Sequence, residues 1–149
     1  MIKANIKNTL SFPRIIHKDD LKFIANRIVI PIMQENIQNS IALDESALPE
    51  LEPETLKAKA RKRQPLKPLI AEGKLRSGFL VVDHGEYGVK VKIHPEREKI
   101  GKYLQIDGVQ SKRGIKHFNF FGISTRMEQL SLAYIKKRIG EIVKNARRK

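Results

Sequence analysis

The chain has no cysteine and no tryptophan, and its 149 residues include only six phenylalanines and three tyrosines. Without thiols there are no disulfides and no thiolate metal sites, and the compartment stays open. Few aromatics leave little surface for base stacking. No run approaches the roughly 18 apolar residues that a membrane-spanning helix requires. The first residues, MIKANIKNTLSF, are too polar for the apolar core of a secretory signal, so the expectation is a protein that stays where it is made, with no membrane partner. Acidic residues are also scarce: 16 Asp and Glu stand against 30 Lys and Arg, a net charge of +14. The excess is uneven, with +3 on residues 1–40, −5 on 41–56 and +16 on 57–149. Such an imbalance favours an acidic partner, whether nucleic acid, an anionic membrane or an acidic protein surface.

What is present reads as one α+β domain over residues 1–149, a length that buries a single core. In residues 18–40, Leu21, Ile24, Ala25, Ile28 and Ile32 mark one apolar helix face, and Asp19 and Asp20 suit the positive end of its dipole. Pro31 predicts a kink, or a stop just before it. Val29, Met33 and Ile37 make a second apolar face, which a buried core or a partner subunit would cover equally well. A charged arm over about 43–67 follows. It is acidic at first, then enters a short helix with Pro53 at its first position, then runs through Lys57, Lys59, Arg61, Lys62 and Arg63. Its opposite charges are close enough to neutralise each other in a solvated arm.

Beyond Pro68 the apolar period changes to that of strands. An antiparallel sheet of about four strands is expected over about 76–123: SGFLVV and YGVKVKI joined by a turn at Gly85, then GKYLQI (101–106) and IKHFNFFGI (115–123), with 107–114 as a loop. The last helix, about 125–147, has a capping-box pattern at Thr125 and Glu128. Its apolar stripe is Leu132, Ile135, Ile139, Ile142, Val143 and Ala146. The expected architecture is that sheet packed by an N-terminal and a C-terminal helix, with the charged loop and short helix between them.

No catalytic constellation assembles from these residues, and no cofactor or metal site is indicated. His17, His84, His94 and His117 form no helical metal motif; His84 and His94 flank one hairpin and are the pair that strands could bring together. GKLRS lacks the preceding glycine of a phosphate loop and precedes a strand instead of opening a helix. Asp83 and Glu86 belong to a turn and do not read as an acid–base pair. KHFNFFG has alternating aromatics but not the aromatic core of an RNA-binding sheet. Sequence-neutral phosphate contact needs only charge, so a basic nucleic-acid-binding module is the alternative function.

Five landmarks occur in order. The first is Leu51, Pro53, Thr55 and Leu56 before the basic run; the second is Leu69, Gly73, Leu75, Ser77 and Phe79. Tyr103 and Gly108 follow, then Phe118, Phe121 and Gly122 with Ile123 and Ser124, then the terminal helix. Over about residues 18–145 this series resembles the tailed-bacteriophage virion-morphogenesis and tail-completion proteins, the head–tail joining or minor tail family. The resemblance implies a non-enzymatic virion protein at the neck or tail end, present in the host cytoplasm during assembly. Such a protein is a subunit of a ring, hexameric by the same resemblance, that joins the tail tube to the head–neck connector. Its partners would be itself, connector proteins and tail-tube or tail-terminator proteins. Non-specific contact with genomic DNA is a further expectation, with Lys57, Lys59, Arg61, Lys62 and Arg63 as candidate contacts.

Overall fold

Alternation of Val89, Val91 and Ile93 with Lys90 and Lys92 puts three apolar side chains on one face of a strand. The computed structural model describes residues 16–69 and 75–148, together with the backbone of Lys3–Lys7. In it that strand, β3 (Gly88–Ile93), is the middle of a three-stranded antiparallel sheet, between β1 (Lys3–Lys7) and β2 (Phe79–His84). Register pairs Phe79 with Ile93, Val81 with Val91 and His84 with Gly88. Gly85 takes φ +67° in the turn, a left-handed conformation that glycine adopts without penalty. Val89, Val91 and Ile93 are buried, and Leu80, Val82, Lys90 and Lys92 lie on the opposite face.

Across the buried face lies one long helical stretch: α1 (Lys18–Ile24), a π-helical turn (Ala25–Val29) and α2 (Ile30–Gln38). Pro31 neither stops it nor sits in a regular turn. The Ile30 N–H bonds back to the Ala25 carbonyl, and this widened register lets the helix continue past a residue with no N–H. Lys18 and Lys22 each reach Asp83 at 3.4 Å, fastening α1 to β2. Burial alone would raise the Asp83 carboxyl, but the two ammonium groups hold it below its ordinary value. Both apolar faces of the helix are covered by the chain itself. Val29, Met33 and Ile37 are buried in the same cluster as Leu21, Ile24 and Ala25, with Ala42, Leu48, Phe118, Phe120, Phe121 and Met127. The second face therefore calls for no partner.

The single four-stranded sheet is corrected in two ways. GKYLQI is helical: α4 (Pro95–Lys102) runs into a second π-helical turn (Tyr103–Asp107). Pro95 opens α4, the His94 ring accepts from the Glu96 N–H at 3.3 Å, and Glu96 and Glu98 occupy the first turn. Of 107–123, only β4 (Val109–Ser111) and β5 (Gly114–Lys116) pair, as a separate hairpin. Residues 117–124 are irregular although Phe118, Phe120 and Phe121 are all buried. Two successive buried phenylalanines cannot share one face of a strand. Their backbone bonds instead go to separate segments. The Phe118 N–H donates to Leu104 O, Asn119 O accepts from the Leu43 N–H, and the Gln105 amide bonds both the N–H and C=O of Phe121. The Phe79 and Phe121 rings stack with centroids 5.9 Å apart.

Gly108 closes the second π turn at φ +83°, and a Cβ there would collide with the Ile115 side chain and lie 2.9 Å from His117 Cε1. Gly108→Val is expected to cost at least about 2 kcal/mol, adding a left-handed backbone penalty to overpacking. Gly140→Ala, at a helical site open to solvent, is expected to add about 0.5–1 kcal/mol of stability. Urea denaturation of the two variants checks both signs.

The last helix, α5 (Thr125–Arg147), is capped one residue earlier than Thr125 and Glu128 suggested. Ser124 is extended, and its hydroxyl accepts from the Met127 N–H at 3.2 Å. Burial of both Ser124 and Met127 fixes that choice.

Candidate functional site

The arm between α2 and the sheet is docked at its start. Leu48 is buried, its N–H donates to Ser40 O, and Ile41 bridges to Ala47. Lys116 Nζ donates to Glu50 O and Glu52 Oε1, both at 2.8 Å. That hydrogen bond, with the charges of Lys116, Lys112 and Arg113, holds the Glu52 carboxyl below its ordinary value against the effect of burial. Within the acidic stretch, the Glu52 carboxylate thus answers the β4–β5 hairpin.

The basic run lies on α3 (Pro53–Arg61) and the turn after it, and α3 buries none of its residues. Lys57, Arg61, Lys62 and Arg63 are exposed. Lys59 is not a free contact: its ammonium donates to Pro65 O at 3.3 Å and Lys67 O at 2.7 Å, tying down the chain beyond the helix, and partial burial lowers its pKa. Lys57 and Lys112 line one open cleft of about 520 Å³, but Glu52 and Glu54 line it too. This mixed-charge cleft does not concentrate positive charge on a phosphate. No group of three or more His, Asp or Glu among the described residues is placed to hold a metal ion. His84 and His94 do not meet. One pairs at the turn end of the hairpin and the other follows the far end of β3, about 20 Å apart at strand rise.

The landmark residues do not form one patch. Pro53 and Thr55 are exposed on α3, and Ser77 is exposed before β2. Leu69 is half-buried against the core with φ +62°, and Leu75, Phe118 and Phe121 belong to the core itself. Gly108 and Gly122 serve the backbone, Gly122 at φ +153° with Leu43 against it. Tyr103 is the exposed one of the later set. Gly73 lies outside the described residues.

A polar cluster that sequence reasoning assigned only to a helix dipole locks α5 to α1. Asp20, 6% exposed, accepts from the His17 N–H at 3.0 Å, the Tyr134 hydroxyl at 3.0 Å and Arg138 Nε at 3.2 Å. Phe23 stacks on Tyr134 with centroids 4.6 Å apart. The available signal was the wrong-face chemistry of α5, a tyrosine and an arginine four apart beside its apolar stripe. Burial first, then donation to Asp20 and its negative charge, raise the Tyr134 phenol above the ordinary value of 10.0. A raised folded-state pKa means this stabilisation is fully present below pH 10.0 and is lost as pH rises through the folded value. Tyr134→Phe is expected to remove a phenolate absorbance step lying above pH 10.0 and to flatten the alkaline limb of the stability profile.

Because Met127, Tyr134 and Arg138 fix which side of α5 faces the body, the apolar stripe sits about a quarter-turn away. Ile135, Ile139 and Ile142 are half-buried, whereas Leu132 is 51% and Val143 42% exposed and Ala146 is exposed. Ile100, Tyr103, Ile106 and Ile115 form another exposed apolar set, on the α4–β5 part of the chain. Among the described residues no helix is long and apolar enough to cross a membrane. Comparison with family models, with curated proteins and with solved structures finds no match to this chain.

Proposed function

We propose that this chain is a non-enzymatic assembly subunit that completes the tail end of a tailed phage or prophage and joins the tail tube to the head–neck connector. The observation that carries the reading is the placement of large apolar side chains outside the core in two different parts of the fold. One is α5, with Leu132 and Val143; the other is the α4–β5 region, with Ile100, Tyr103, Ile106 and Ile115. A head-to-tail ring needs two different patches on each subunit, one for each neighbour. Apolar surface of this kind marks interaction sites. The ordered resemblance of residues 18–145 supplies the identity of the assembly, and the +14 charge suits acidic neighbouring proteins.

The finer architecture belongs to the same proposal: helices at both ends of the chain close over the strands to make one assembly module. The test is recovery of the tagged chain from induced or infected cells, with its companions identified. Co-purification of connector or tail proteins as a ring is the expected result. A chain that remains monomeric, and whose deletion leaves tails competent to join heads, would rule the proposal out.

One observation favours the alternative, sequence-neutral binding of nucleic acid. The register sets Lys3 opposite Lys92 and Asn5 opposite Lys90, so lysine positions gather on neighbouring strands. That reading requires duplex binding that falls steeply with salt, and no binding at low ionic strength removes it.

A further inference from the structure

The outward side of α5 is cationic, away from Met127, Tyr134, Arg138 and Ile142, which are buried or half-buried. At helical phase Lys137, Lys144 and Arg148 fall in one row, and Lys136 and Arg147 make a second row about a quarter-turn from it. Ala133 and Gly140 lie between the rows, so the backbone is bare there, and all seven residues are exposed. Among the described residues none of the five cationic side chains makes an ion pair or a hydrogen bond. Glu141, the one carboxylate of this half of the helix, bonds Arg138 at 3.4 Å. Of the five cations only Lys137 shares an open cleft with it and with Asp19. The helix dipole accounts for Lys144 and Arg147 in the last turn, but its pull does not reach Lys136 and Lys137. A glycine inside a helix weakens it, and a Cβ on Gly140 would meet nothing, so no packing within the chain asks for one.

We infer that this outward face of α5 is a contact for double-stranded DNA, held through its phosphates without reading sequence. Such a contact needs cations alone, and lysines supply them as point charges. The two rows extend about 18 Å from residue 136 to residue 148 at helical rise. An α-helix enters the major groove of B-DNA, about 12 Å wide, with a phosphate backbone on either side, and the two rows face those two sides. The corresponding groove of an RNA duplex is too narrow to admit it. Single strands are held on aromatic platforms, and this face has no aromatic residue. An acidic protein surface would meet an interface with an apolar or aromatic centre, and here the centre is alanine and glycine. A lipid surface would need the lysines beside the apolar stripe, whereas Lys137 and Lys144 stand across the helix from it. On α3, by contrast, Glu52 and Glu54 share the cleft of Lys57. The inference deepens the nucleic-acid reading and rests on it, and it is independent of the assembly reading.

The test follows a labelled DNA duplex of about 20 base pairs by fluorescence anisotropy as the full chain is added, over a series of salt concentrations. Affinity is expected to fall with salt at a log–log slope of about −4, for four to five phosphates neutralised, and to be the same for duplexes of unrelated sequence. Lys136→Gln, Lys137→Gln and Lys144→Gln should each reduce that slope by about one. The three together should weaken binding at least about tenfold at low salt. Lys57→Gln with Arg61→Gln and Lys62→Gln on α3 removes the same charge and should change affinity less than about threefold, since screening confines its effect. Both triple variants substitute exposed side chains, so their melting temperatures should match that of the parent chain. Equal losses in the two triple variants overturn this site and leave the nucleic-acid reading standing. Absence of duplex binding at low salt overturns both. Tighter binding to an RNA duplex, a Glu-rich peptide or phosphatidylserine vesicles than to the DNA duplex also overturns the inference. Duplex binding through α5 in a chain that no virion protein accompanies removes the assembly reading and leaves this site in place.

Discussion

Replacing Phe120 with alanine is expected to lower stability by about 3–5 kcal/mol, the range for truncating a fully buried aromatic. Its side chain is 0% exposed and belongs to the cluster that joins the α1–α2 stretch to Met127 of α5. No ladder supports its backbone, so neighbours that lose contact with the ring have little regular structure to fall back on. The cavity should remain partly open, because the residues on either side are pinned at Leu104, Gln105 and Leu43 by the hydrogen bonds of Phe118, Asn119 and Phe121. Urea denaturation should show a lower midpoint with an unchanged slope. Leu132→Ala is the comparison, and it is expected to stay within about 0.5 kcal/mol. A loss at Leu132 comparable to that at Phe120 would mean the α5 stripe is already covered within the chain.

Periodic apolar spacing made the two longest helices legible, because each spans several turns and carries end signals. The β2–β3 hairpin was legible through its alternation and Gly85. GKYLQI has strand-compatible residues at Tyr103, Gln105 and Ile106, but Pro95 with Glu96 and Glu98 behind it is a helix start written in the sequence. Residues 115–123 depart from a strand for another reason. Aromatic alternation at Phe118 and Phe120 resembles a strand, and only the tertiary partners Leu43, Leu104 and Gln105 reveal where those backbone groups bond. Such partners lie up to about 76 positions away and leave no local trace.

Surface assignments shifted for the same reason. The first helix looked incompletely covered because its two apolar faces exceed what one small sheet conceals, yet the docked arm and the 117–121 segment share its core. The unmet apolar surface is at the other end of the chain. Lys59 looked equivalent to Lys57 and Arg61 in the basic run, but its position on α3 turns it towards the returning carbonyls of Pro65 and Lys67. Helical phase, not composition, separates a cation used within the chain from one presented to a partner.

Asp20→Ala is expected to cost about 2–3 kcal/mol, since it strips the acceptor from the His17 N–H, the Tyr134 hydroxyl and the Arg138 guanidinium together. The figure is kept below that of a deeply buried pair because the Arg138 side chain is 41% exposed and can rehydrate. Asp20→Asn, which keeps one carbonyl acceptor, should lose less. The two substitutions also differ in place from Phe120→Ala: the core remains packed, but the link between the first turn of α1 and the middle of α5 is gone. Amide exchange should therefore accelerate along α5 beyond Tyr134 well before it does in β2 and β3. A double-mutant cycle of Asp20→Ala with Tyr134→Phe and with Arg138→Ala divides the loss between the two partners.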